Sequence, residues 1–111
     1  MRNSTRENVL GDSVDVADTS SKRRSGLLKY PGLKAGQGLW IVPCEAVHTF
    51  GMKFPIDVVF LNKKRKILKV RRDMGKWRMA LCLRAHSVLE LPAGTLQMTN
   101  TGVGDQLEFV K

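Results

Sequence analysis

The chain has 111 residues, enough for one small domain with a modest core. Its 42% hydrophobic content excludes a disordered composition. No apolar run approaches the ~20 residues of a membrane-spanning helix, so no transmembrane segment is expected. The polar stretch Met1 to Leu10 lacks the apolar segment of a secretory leader, so a cytoplasmic location is expected.

Residues 1–12 have little apolar content and no periodicity, and are expected to form a flexible N-terminal arm. A single β-rich domain is expected over 13–111. Val14-Asp15-Val16-Ala17 alternates as a short strand does. Asp18 to Ser21 offers side-chain oxygens for a helix start, so Ser20 to Leu28 is expected to be a helix with basic Lys22, Arg23 and Arg24. Leu27 and Leu28 are its core contacts, and Tyr30-Pro31-Gly32 stops it. Leu39 to Val42 is a strand ended by Pro43. Val47 to Phe50 is expected to be a strand, with Gly51 marking a bulge or a close backbone approach.

Ile56 to Leu61 is the clearest strand, β-branched and aromatic. Asn62-Lys63-Lys64-Arg65 reads as a four-residue hairpin loop, and Lys66 to Arg71 returns with Lys69 and Arg71 toward solvent. Asp73 to Lys76 is a turn. Apolar residues at 77, 79, 81 and 83 favour a strand, or an irregular crossing segment. Ser87 to Leu91 is a strand ended by Pro92. Ala93 to Asn100 holds a single helical turn with Leu96 inward. Gly102 to Asp105 turns into a last strand, Gln106 to Val110. The expected fold is mostly β (α+β): a small antiparallel β-barrel or sandwich of about seven short strands with one N-terminal helix.

Net charge is +9 and uneven, with −2 over residues 1–21, +13 over 22–84 and −2 over 85–111. Such a field attracts polyanions, either nucleic acid or an anionic surface. The expected contact is the basic 63–72 hairpin, with Lys63, Lys64, Arg65, Lys66, Lys69, Arg71 and Arg72; a solvated, solubilising surface is the competing reading. No nucleic-acid motif accompanies it.

Five segments together resemble one known family. They are Val14 to Thr19, Arg24 to Leu28, His48 to Leu61, Val88 to Thr95 and Val103 to Asp105. The family is domain-of-unknown-function family 192, also called uncharacterised protein family 0127, bacterial and archaeal. The resemblance implies a compact, mostly β domain with one N-terminal helix, and no known reaction. It transfers no catalytic residues.

The 48–61 stretch also supplies a candidate ligand site at His48, Phe50, Met52, Lys53 and Asp57. On a strand, residues of equal parity share a face, so His48, Phe50 and Met52 are expected together if no bulge intervenes. A carboxylate within Ile56 to Phe60 is expensive to bury unless bonded, so Asp57 is either a polar handle for a ligand or a structural acceptor of backbone N–H groups. Cys44, His48, Cys82 and His86 have the side chains of a zinc site. Their twice-repeated Cys-x3-His spacing departs from the usual Cys-Cys and His-His pairing, so they stay an alternative metal-binding or hydrolase-like set. The two thiols read as separate and buried. No cofactor is expected, and nothing supplies an oxyanion hole. The favoured reading is a non-enzymatic module that binds a small ligand or a protein partner.

Overall fold

A computed structural model describes residues 1–109. It contains ten strands: β1 (Arg2–Asn3), β2 (Asn8–Val9), β3 (Ser13–Ala17), β4 (Gln37–Ile41), β5 (Ala46–His48), β6 (Ile56–Leu61), β7 (Ile67–Met74), β8 (Met79–Leu81), β9 (Ser87–Pro92) and β10 (Leu107–Glu108). Two short helices are α1 (Ser20–Ser25) and α2 (Thr95–Met98). The strands form three sheets, ordered β3-β4-β9-β6-β7, β10-β1-β2 and β5-β8. The fold is mostly β and sandwich-like. The sheets do not close into a barrel, and β3 pairs with β4 in parallel, because α1 carries the chain across between them.

β6 is buried along its whole length, and β9 from Ser87 to Leu91. Strands apolar at both parities belong in a sheet covered on both faces. Ile56, Val58, Phe60 and Val88 join one core with Leu27, Leu39, Ile41, Val47 and Met52. Val59, Leu61, Leu89 and Leu91 join a second core with Leu96 and Leu107. β4 comes unusually close to β9: a Cβ on Gly38 would lie 3.0 Å from the Glu90 backbone oxygen.

The helix starts where expected, with Thr19 accepting from the Lys22 amide, but it ends earlier, at Gly26 (φ +49). Leu27 is buried and Leu28 is exposed.

The segment 1–12 is not an arm. β1 pairs with both β2 and β10. Asn3 is fully buried, and its Nδ2 donates to Thr101 Oγ1 and Asp105 Oδ2, each at 3.0 Å. Two-residue strands leave no periodicity to read; the local pairing of β1 with β2 and the long-range pairing with β10 together hold this segment. Burial works against the Asp105 carboxylate, but hydrogen bonds from Asn3, Gly102 and Arg6, with the Arg6 charge, outweigh it and hold its pKa below the usual range. Val110, the end of the expected last strand, lies outside the described residues.

β7 runs three residues beyond the expected Arg71, and the hairpin loop 62–65 forms as expected: Asn62 Oδ1 accepts from the Lys64 and Lys66 amides, both at 2.9 Å. The 77–83 stretch does make a strand, β8. Its apolar parity faces outward, leaving Trp77, Met79, Leu81 and Leu83 exposed.

Candidate functional site

The five residues of the expected ligand site do not converge. β5 ends at His48, and Gly51 turns the chain with φ +82, so the 48–52 stretch is not one strand face. Met52 therefore swings into the first core, while His48 and Phe50 stay outside with rings stacked at 5.2 Å. Lys53 is exposed.

Asp57 lies across the sheet, at equal parity with Val59 and Leu61. Opposite it, β7 carries one extra residue: Ile56 pairs with Met74 but Val58 with Arg71. Asp57 Oδ1 accepts the freed amide of Asp73 at 2.8 Å. Its Oδ2 accepts the Leu96 amide at 2.9 Å, capping α2, whose own N-cap, Gly94, has no side chain to do so. Both oxygens are occupied by backbone, and Asp57 is 1% exposed.

His48 and Met52 do meet at a cavity of about 80 Å³ on the other face. Leu27, Ile41 and Val47 supply apolar walls, and Arg23, Arg24, Ser25, Cys44 and Glu90 join His48 as polar lining. This volume takes two or three waters or the tip of a small molecule. Glu90 sits on the middle strand of the five-stranded sheet, at equal parity with Val88, so its side chain enters the first core. It is 3% exposed, and among the described residues no hydrogen bond contributes to its carboxyl's pKa. Burial raises its pKa from 4.5 to about 7. Near neutrality the carboxyl is thus about half protonated, able to accept or donate a hydrogen bond.

Cys44 flanks the same cavity. Its Sγ donates to the Ala46 carbonyl oxygen at 3.1 Å. Burial chiefly raises its pKa, opposed by the Ala46 contact and reinforced by the charge of Glu90. Among the described residues no hydrogen bond joins Cys44 to His48. Cys44 and Cys82 are both free and half-buried, and among the described residues no three His, Cys, Asp or Glu side chains converge as a metal site. The set Cys44, His48, Cys82 and His86 is therefore not a ligand cluster here.

The basic residues of the 63–72 hairpin split between faces. Lys63, Lys64 and Lys66 are exposed at its tip. Arg65 (φ +63) lays its guanidinium over Phe109 at 5.6 Å. Lys69 Nζ donates to Leu81 O at 2.8 Å, and Arg71 Nη1 lies 3.5 Å from Met79 O. Arg72 Nη2 donates to Thr101 O at 3.0 Å on the opposite side.

Sequence reasoning placed Ser87 to Leu91 on a strand and gave Glu90 no role. The signal was present: a carboxylate inside an apolar run, the same argument that marked Asp57.

Comparison with known proteins places these features in a family. The model of the family DUF192, described as Uncharacterized ACR, matches residues 2–109. A UPF0127 protein of Thermococcus sibiricus is 30% identical over 113 residues, spanning 96% of this chain and 72% of that protein. A UPF0127 protein of Pyrococcus abyssi is 31% identical over 104 residues, spanning 87% of this chain and 86% of that protein. The crystal structure of a protein of unknown function from Novosphingobium aromaticivorans shares the fold, with TM-score 0.79 and 18% identity, over 86% of this chain and 74% of that one.

Proposed function

The chain belongs to the DUF192 family, and from that premise we propose that it is a binding module whose ligand places a polar tip in the cavity floored by Glu90. The observation that carries this reading is the Glu90 carboxyl itself, enclosed on the central strand, without a hydrogen-bond partner among the described residues, and bordering open space. Burying such a group unbonded costs free energy that only a water or a ligand in the cavity offsets. A carboxyl that both donates and accepts suits a hydroxyl or an amine. Arg23 and Arg24 also line the cavity, and the chain carries +9, so the remainder of the ligand is anionic. The fitting class is a small anionic polyol.

Binding rather than turnover is supported by Cys44. Its raised pKa keeps it a thiol, and the thiolate is the nucleophile. His48 stacks on Phe50 and makes no hydrogen bond to that sulfur among the described residues.

The test is thermal unfolding with millimolar glycerol phosphate, with inositol phosphates and with uncharged glycerol. The anionic polyols are expected to stabilise, by about 3 kcal/mol at a hundredfold excess over Kd. Glu90→Leu, which removes the carboxyl and occupies the cavity, is expected to abolish that gain. An undiminished gain in Glu90→Leu refutes the reading.

A second reading, polyanion binding, is favoured by the exposed tip of the 63–72 hairpin. Lys63 also borders a cavity of about 390 Å³ with Arg84 and His86. Heparin retention that falls steeply with salt supports it. Retention unchanged in the combined Lys63→Ala, Lys64→Ala and Lys66→Ala variant removes it.

A further inference from the structure

The β5-β8 ribbon presents an outward apolar face. Ala46 pairs with Leu81 and His48 with Met79, so these side chains adjoin on its exposed side. Phe50 extends the row, 5.2 Å from His48 and 5.7 Å from Trp77. Trp77 is 71% exposed, Met79 65% and Leu83 72%. Trp77 also holds φ +60, a conformation that few bulky residues adopt.

Cations frame this face. Lys53, Lys76, Arg78 and Arg84 are exposed on the segments that form it, and Lys69 and Arg71 reach β8 from β7. No carboxylate occurs over 46–56 or 74–89; Glu45 and Asp73 border these stretches.

We propose that this ribbon is a docking face for an anionic lipid bilayer. Charge selects the partner, since a second copy would bring the same cations against these. Met79, Leu81 and Leu83 gain nothing from stacking on bases, so nucleic acid uses only part of the face. A bilayer uses all of it: aliphatic side chains enter the acyl boundary, Trp77 sits at headgroup level, and the Lys and Arg heads meet anionic headgroups. Lys69 and Arg71 already cover the outer carbonyl oxygens of Leu81 and Met79, so this edge carries less unpaired backbone into the boundary.

The experiment sediments the full chain with phosphatidylcholine vesicles, with and without phosphatidylserine, at physiological salt. Partitioning onto phosphatidylserine vesicles is expected to be at least about tenfold stronger. The Trp77→Ser, Leu83→Ser double variant is expected to lose about tenfold or more of it, with an unchanged urea midpoint. No partitioning onto anionic vesicles overturns the proposal, as does full partitioning of the double variant. Tighter binding of a single-stranded oligonucleotide, lost in that variant, overturns it in favour of nucleic acid. A dimer of the free protein, lost in that variant, overturns it in favour of a second copy.

Discussion

Replacing Glu90 by Gln keeps the shape of the side chain and removes its charge. In the folded protein Glu90 titrates near 7, against 4.5 as its ordinary value, because burial disfavours the ionised form. Below about pH 4.5 it is neutral in both folded and unfolded states and costs nothing extra. Between 4.5 and 7 the folded chain holds a proton that the unfolded chain has released, so stability falls as pH rises. Above about 7 the full cost is present, about 3 kcal/mol from the size of the shift. Glu90→Gln is therefore expected to match the parent at pH 4.5 and exceed it by about 3 kcal/mol at pH 8. With urea dependences of about 1–3 kcal/mol per molar, the midpoint rises by about 1–3 M. The assay is urea unfolding of both proteins at half-unit steps of pH. A difference that stays flat from pH 4.5 to 8 refutes the argument that Glu90 is ionised at a cost in the core.

Asp57→Ala is expected to destabilise by about 1–3 kcal/mol, since it leaves the Asp73 and Leu96 amides without their acceptor; an unchanged urea midpoint contradicts this. Leu96→Ala empties a fully buried site in the second core and is expected to cost about 2–5 kcal/mol by the same assay. Asp105→Asn works at the acid end. The depressed pKa of Asp105 gives stability that is present above its ordinary range and lost as pH falls through the folded value, so the variant is expected to show a shallower acid transition in circular dichroism. In a Cys82→Ser background, Cys44 is expected to alkylate with iodoacetamide more slowly at pH 8 than a free cysteine; equal rates contradict the raised thiol pKa.

Much of the central sheet was legible in the chain. β6 and β9 announce themselves as mostly apolar runs, the Asn62 loop as a polar break between β6 and β7, and Leu96 as the inward residue of the short turn at 95–98. What stayed hidden depends on partners far away in sequence. β1 is two residues that pair with β2 a few positions on and with β10 more than a hundred positions on, and two residues are too few for a periodic pattern to mark them. The bend at Gly51 separated Met52 from Phe50, and with it the expected site. The outward parity of β8 was invisible because alternation does not say which face is wet. Asp57 and Glu90 carry the same local signal, and only the sheet distinguishes a carboxylate met by two amides from one met by none among the described residues.

The doubly covered sheet leaves its strands short of alignment marks. Sliding β6 or β9 by one position exchanges the side chains of the two cores, and in an ordinary half-buried sheet that error throws apolar groups into water. Here nearly every exchanged side chain is apolar and stays enclosed. The slip is punished at two places. Asp57 leaves the Asp73 and Leu96 amides for the packed first core, and Glu90 leaves open space for the packed second one. These carboxylates thus act as opposed keys on adjacent strands, each fitting one side of the sheet, and they specify an alignment that the hydrophobic pattern leaves nearly degenerate.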